Sequence, residues 1–390
     1  MSEAIAAELS RRARDIAPLL ASEAPAGRAS FRMSARSIGA MREAGFFRIA
    51  QPAGLGGHEL DPRVLYGAEM ILGEGDMSAA WILGVSGVIS WLVALFDPRA
   101  GEDVWGKGPD AIFCCALRRN GVATPAPGGF RLSGRWTYAS GCDHSQWAVL
   151  GGLRASDRPG VDDHLLLLAP REDFEIVETW RAPGMQATGS HDVVVRDAFV
   201  PGHRVIRMID NLNCAGPGLA AHTSPIYRLP FGQIFGAGVS VAAVGALQAM
   251  LDAFIASARD RKRVGASLAG DPDAQLAVAE AWGAIDLARL IVTRNFGEML
   301  ADAERGETTP VSRRLRYKYQ LSTIAGRCRD AAQKIVDLSG TAGLSGSAPF
   351  PRLMADIAAG RQHVTNQTTL HGRDAGWDML GLPEKVDFML

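Results

Sequence analysis

The chain has 390 residues, 47% of them hydrophobic and 21% charged, with a net charge of −1. That length holds two or three folding units with ample core, and the composition is that of a globular enzyme rather than a disordered tail. The balanced charge gives no footprint for nucleic acid. Five cysteines, at positions 114, 115, 142, 214 and 328, are odd in number and lack zinc-type spacing. With no other metal constellation in the chain, a reducing, cytoplasmic compartment fits best.

Up to about residue 110 the pattern is helical. Ile5, Leu9, Ile16 and Leu20 recur at helical spacing, Ser34 is placed to cap the helix carrying Ile38 and Met41, and Asp61-Pro62 is a cap and first-turn pair. The opening Met1-Ser-Glu-Ala-Ile lacks the basic-then-apolar layout of a signal peptide. The uncharged run Ala79–Phe96 has no basic anchors, and Leu229–Leu251 is interrupted by glutamines and glycines. Both read as buried helices rather than membrane spans.

From Ala111 to Pro201 short strands alternate with Gly, Pro and Asp turns: Ile112–Leu117, Phe130–Tyr138, Ala148–Leu153, Leu165–Ala169, Phe174–Thr179 and Val193–Val200. Ser133-Gly134 reads as a turn between Phe130–Leu132 and Trp136–Tyr138. The spacing predicts a small antiparallel barrel or sandwich. Long helices return over Phe231–Arg263, from Asp271-Pro272 to Glu304, and from Pro310 to a stop at Gly340-Thr-Ala-Gly343; a final helix carries Leu353, Ile357 and His363. The expected class is α+β, divided into a helical unit at 1–110, a β unit at 111–210 and a four-helix bundle at 225–390.

Several stretches in this order resemble the acyl-CoA dehydrogenase superfamily: Phe46 to Gly57, Trp136-Thr-Tyr-Ala-Ser-Gly141, Gly184-Met-Gln-Ala-Thr-Gly-Ser190 with Phe199-Val-Pro201, and Ala258 to Gly265 followed by Gln275 to Glu280. The resemblance implies a flavin and a homotetramer assembled through the C-terminal helices. The dehydrogenases place a catalytic Glu late in the chain, but here no carboxylate stands between Asp356 and Asp374, and His363 is the strong base candidate in that window. Cys114-Cys115 stands where the family's Thr-Glu-Pro-Gly run is usual. These departures, with Tyr227-Arg-Leu-Pro230, match the oxygenase components of two-component flavin-dependent monooxygenases of the p-hydroxyphenylacetate hydroxylase-like group.

That branch implies reduced FMN or FADH2 from a separate NAD(P)H:flavin reductase, with O2 as co-substrate, and oxygenation of an aromatic or polycyclic small molecule through a C4a-hydroperoxide. The chain carries no nicotinamide fingerprint of its own. His363 is implied to deprotonate a phenol-like substrate, Ser140 to meet the flavin N5, and Arg228 to stabilise an anionic flavin or peroxide. The flavin contacts implied are Trp136, Tyr138, Ala139, Ser140 and Cys115 on one side. Thr188, Gly189, Ser190, Arg261 and Gly340 complete them. Ser90, Cys115 and His363 fall on the substrate wall; Asp143 and His144 read as a solvated pair, and His371 as lying outside the cavity. A dehydrogenase or oxidase with an atypical base, an amine N-oxygenase and a non-catalytic relative of the same fold stay open at this stage.

Overall fold

The computed structural model describes residues 2–155, 163–260, 262–263, 266–345 and 348–382. Helix α1 (Ser2–Ser30) is followed by α2 (Ala35–Glu43), where Ser34 accepts a hydrogen bond from Ser37 N, and by α3 (Pro62–Gly75). Asp61 caps α3 at Arg63 N. The same Asp-Pro device starts α5 (Pro98–Trp105) from Asp97. In each case the carboxylate satisfies a first-turn N–H, and proline takes a position that has no donor to lose.

Helix α4 (Met77–Val93) is buried at every one of its residues, as a helix apolar all round must be. Its glycines permit the burial: a Cβ on Gly84 would lie 2.0 Å from the Gly238 carbonyl oxygen.

The strands form one seven-stranded sheet in the order β5-β6-β2-β1-β3-β4-β7. They are β1 (Phe113–Ala126), β2 (Gly129–Ala139), β3 (Trp147–Arg154), β4 (His164–Pro170), β5 (Glu175–Val177), β6 (His191–Pro201) and β7 (Val205–Arg207). The sheet is mixed rather than antiparallel, because β1 pairs with β3 in parallel, Phe113 opposite Trp147. β2 ends beside the start of β1, so the short return through Ser140–Gln146 launches β3 on the other edge of β1 in the same direction. Ser133-Gly134 is not a turn. Gly134 lies inside β2 opposite Gly121, and the Trp136 ring occupies the room that both leave, a Cβ at Gly121 falling 2.3 Å from it.

After the short α6 (Met208–Leu212), the apolar stretch expected as one helix is two, α7 (Phe231–Gly238) and α8 (Ala242–Asp260). It is long and apolar enough to cross a membrane, yet 83% of its apolar window is buried inside the protein. Helices α9 (Pro272–Glu304) and α10 (Val311–Ser339) follow, then α11 (Phe350–Gly360) and α12 (Thr368–Met379). The helices from both ends of the chain share one hydrophobic core, while the sheet keeps a smaller one around Trp136.

His363 does not ride on a helix. It lies just past α11 and caps the single turn Val364–Asn366. Asn366 fixes that turn from a fully buried position: Nδ2 donates to Val239 O (3.0 Å) and Gly360 O (2.9 Å), and Oδ1 lies 2.6 Å from Ser240 Oγ. One side chain thereby ties the α7–α8 break to the α11–α12 loop. Asn366→Ala strands the Val239 carbonyl and removes one of two partners from the Gly360 carbonyl and from the Ser240 hydroxyl, and is expected to cost about 1–3 kcal/mol, read as a lower urea midpoint with an unchanged m-value.

Candidate active site

A cavity of about 1400 Å³ opens between the sheet, α4, α7, α10 and the α11–α12 loop. Drug-sized pockets occupy roughly 300–1000 Å³, so this one has room for a tricyclic ring and a second aromatic molecule together. Trp81, Val85, Phe231, Phe235, Trp180, Met208 and Leu212 give it apolar walls.

Its polar part is a chain of hydroxyls. Trp81 Nε1 donates to Ser140 Oγ (3.1 Å), Ser140 Oγ lies 2.8 Å from Ser190 Oγ, and Ser190 Oγ lies 2.6 Å from Thr188 Oγ1. Thr188 Oγ1 in turn donates to the Met185 carbonyl (2.7 Å). A carbonyl only accepts and each hydroxyl has one proton. Thr188 spends its proton on Met185, so Ser190 donates to Thr188 and Ser140 donates to Ser190. Ser140 is left with a free lone pair and no free proton. The bend that places it is built by Gly141, at φ +74°, whose N–H donates to Thr188 O (2.8 Å).

His363 lines the same cavity, its ring edge-on to Trp81 with centroids 5.6 Å apart and tilted against Phe235 at 5.8 Å. Its Nδ1 lies 2.8 Å from Thr365 Oγ1 and 3.3 Å from Thr365 N. Burial, and then the Arg118 guanidinium, hold the imidazole down at about 4, so it is neutral at physiological pH. Among the described residues no aspartate or glutamate lines the cavity. Asp356, one of the two carboxylates that frame the late window, accepts from Met185 N (2.7 Å) instead; burial and the neighbouring Asp76 push it up to about 6.

The structure gathers Tyr138, Ser140, Cys115, Thr188, Ser190 and His363 around one space and sets other candidates elsewhere. Trp136 and Ala139 face the sheet core, with Trp136 Nε1 donating to Gly151 O (2.7 Å). The strand's register against β6 shifts between Trp136 and Ala139, which breaks the alternation and leaves Tyr138 against Trp180 at 5.2 Å. Gly189 forms the tight turn before β6 rather than the wall, a Cβ there meeting Asp143 Oδ2 at 2.7 Å. Ser90 is buried within α4 away from the cavity, and Arg228 and Gly340 are exposed outside it. Arg261 lies outside the described residues. Cys114 turns to the sheet core while Cys115 turns to the cavity, and burial pushes both thiols up to about 12. Asp143 and His144 are not solvated: Asp143 pairs with Arg32 (3.0 Å), and His144 Nε2 bonds to Met33 O (3.0 Å). His371 is buried outside the cavity, on Val364 O (3.3 Å). Trp81, Thr365, Arg314 and Lys318 were not singled out from the sequence, although all four line the cavity.

Comparison with known proteins gives the family and the fold. Residues 237–368 match the family model for the acyl-CoA dehydrogenase C-terminal domain. The chain is 36% identical, over 89% of its length and 91% of the relative's, to the oxygenase subunit HsaA of a flavin-dependent monooxygenase from Rhodococcus jostii. It is 30% identical, over 97% and 95%, to the oxygenase component of an FADH2-dependent resorcinol hydroxylase from Rhizobium. The crystal structure of 3-HSA hydroxylase from Rhodococcus superposes with a TM-score of 0.93 at 34% identity, covering 98% of this chain and 99% of that one. The chain belongs to the oxygenase components of flavin-dependent monooxygenases built on the acyl-CoA dehydrogenase fold, enzymes that use a reduced flavin with dioxygen.

Proposed function

We propose that this enzyme hydroxylates a phenol-like aromatic molecule, with FADH2 delivered by a separate NAD(P)H-dependent flavin reductase. The observation that carries the proposal is the pairing, across Trp81, of an acceptor-only serine with a neutral histidine in a cavity lined by no carboxylate among the described residues. A thioester dehydrogenase needs a strong base over the ring; an oxygenase needs a dry pocket that holds a ring N–H.

The residues present fit a reduced flavin. Ser140 offers a lone pair, which suits the N5–H that only the reduced ring carries. Ser190 and Thr188 hold Ser140 in that proton arrangement, and Tyr138 with Trp180 gives an aromatic wall. When bound, the flavin supplies two electrons to dioxygen, so that one oxygen atom enters the substrate and the other leaves as water. The apolar walls exclude the water that would drain the activated oxygen as peroxide.

His363 handles the substrate proton. Nδ1 accepts from Thr365 N (3.3 Å) in the free site; a shift to the tautomer whose Nδ1–H donates to Thr365 Oγ1 (2.8 Å) frees the Nε2 lone pair to take the phenol proton, which raises the ring carbon's nucleophilicity. An imidazole held near 4 in the free site becomes more basic as the phenolate forms beside it. We also propose a cytoplasmic homotetramer, supported by unpaired cysteines and by Leu276, Trp282 and Leu290 standing exposed along α9.

Two outcomes test these assignments. His363→Ala is expected to leave oxygen consumption by the FADH2-loaded enzyme within about 3-fold of the wild type while hydroxylated product falls on the order of 10²-fold or more; product yield that stays intact removes the histidine from the mechanism. Ser140→Ala is expected to raise the share of oxygen released as hydrogen peroxide, measured by a coupled peroxidase assay.

The imidazole also sets a pH dependence of stability. Folded His363 stays neutral down to about 4, whereas an unfolded imidazole protonates near 6.5. Acidification through that interval therefore favours the unfolded chain, and the penalty is absent above 6.5. His363→Gln is expected to lose less unfolding free energy than the wild type between those pH values in urea titrations.

A further inference from the structure

Hydroxylation gives no role to Glu69, a fully buried carboxyl in the middle of α3. Neither of its oxygens has a hydrogen-bond partner of full geometry among the described residues. The donor that acts on them is the Ala242 N–H at the start of α8. An ionised carboxylate without a cation is among the costliest groups a core can hold.

The packing shows where this carboxyl points. α3 and α8 cross backbone to backbone, a Cβ at Gly245 falling 2.1 Å from Met70 O, and α4 closes the third side. A Cβ at Gly84 of α4 would lie 2.8 Å from each Glu69 oxygen and 2.0 Å from the Gly238 carbonyl oxygen. The carboxyl and the last carbonyl of α7 therefore converge on one point. Two acceptors facing each other repel; a proton on the carboxyl turns that contact into an O–H···O=C hydrogen bond. In an uninterrupted helix Gly238 O would accept from Ala242 N, four residues on. Here α7 and α8 are separate helices, and a protonated carboxyl can take both ends of that bond: its hydroxyl gives to Gly238 O, and its carbonyl receives from Ala242 N.

The surroundings keep the proton in place. Burial pushes Glu69 well above the ordinary carboxyl range, and no charged side chain of α1 or α9 acts on it. α4 and α7 carry no charged residue, and α8 carries none before Asp252. Tyr66, one turn away on α3, is itself held neutral by burial.

The α7–α8 break is where this core contact meets the active site. Val239 O and Ser240 Oγ hold Asn366, Asn366 pins the turn that His363 caps, and Phe235 of α7 lies 5.8 Å from the imidazole. Tyr66 Oη donates to Ile234 O (2.9 Å), so α3 grips α7 in its middle as well as at its end.

We propose that Glu69 is a positioning residue for hydroxylation: kept protonated, it bridges Gly238 O and Ala242 N across the α7–α8 break and thereby sets the imidazole of His363. The proposal rests on the role given to His363 above. Glu69→Gln keeps one donor and one acceptor on the same frame, whereas Glu69→Leu keeps only the volume.

Hydroxylated product per oxygen consumed is measured with the FADH2-loaded enzyme. Glu69→Gln is expected to stay within about 2-fold of the wild type, and Glu69→Leu to fall on the order of 10-fold or more, with oxygen consumption within about 3-fold. A leucine variant as well coupled as the wild type, or a glutamine variant as impaired as the leucine one, overturns the proposal. So does a parallel fall of oxygen consumption and product, which marks a collapsed site rather than a displaced imidazole.

A second readout needs no turnover, so it stands even where His363→Ala shows the histidine idle. An unfolded glutamate ionises above about 4.3 while the folded one keeps its proton, so the wild type loses stability as pH rises. Between about pH 5.5 and 6.5 its unfolding equilibrium constant in urea titrations is expected to grow about 10-fold relative to that of Glu69→Gln. Parallel pH profiles mean a charged Glu69 and overturn the bridge. Where Glu69→Leu does not fold, this comparison and the coupling of the glutamine variant decide.

Discussion

Trp81 touches both chemical halves of the cavity, and the site depends on its being immobile. Its indole N–H sets the first link of the hydroxyl chain at Ser140, and its ring edge limits where the imidazole of His363 can lie. Rigidity comes from the helix beneath it. α4 is buried along its whole length and approaches α7 so closely that a Cβ on Gly84 would overlap the Gly238 carbonyl. A helix packed on all sides has no soft direction in which to carry a side chain away. The distance between the acceptor at Ser140 and the imidazole of His363 is thus set by core packing rather than by the loops that bear them.

Much of this arrangement is legible in the sequence. Capping pairs such as Asp61-Pro62 and Asp271-Pro272 mark helix starts because their chemistry is local. The Ser140 bend and the Thr188–Ser190 turn announce themselves by small residues next to strands. What failed did so where local pattern and tertiary structure diverge. Trp136 and Tyr138 share a strand face by period, yet the register shift between Trp136 and Ala139 sends the tryptophan to the sheet core. Gly134 looks like a turn but is the space a tryptophan ring needs against Gly121. Trp81 was invisible because it stands in a run where every residue is apolar, so periodicity singles out none of them. Lys318 was invisible for the opposite reason: a lysine on an amphipathic helix reads as solvated until the cavity beside it is known.

The fold itself is neutral between dehydrogenation and oxygenation, and the sign of charge in the cavity separates them. A thioester dehydrogenase needs a carboxylate over the ring, and a carboxylate placed there would also repel an electron-rich reduced flavin. Here the acids have been moved behind the wall. Asp356 and Asp76 sit buried together, near Arg28 and Arg352, and Asp356 spends its oxygen on a backbone N–H rather than on a ligand.

That displaced acid still serves the site. Asp356 binds Met185 N, and Met185 O is the acceptor on which the proton order of Thr188, Ser190 and Ser140 is built. Met185 holds the left-handed conformation, φ +55°, which a methionine adopts only where surrounding contacts fix it. The helix that carries Asp356 runs one turn further and then releases the chain into the loop bearing His363, pinned by Asn366. α11 thus sets the hydroxyl chain with one end and the imidazole with the other. A substitution at Asp356 would be felt first as a loss of proton order at Ser140, before any change at the imidazole, because the two outputs share a rigid helix but not a hydrogen bond.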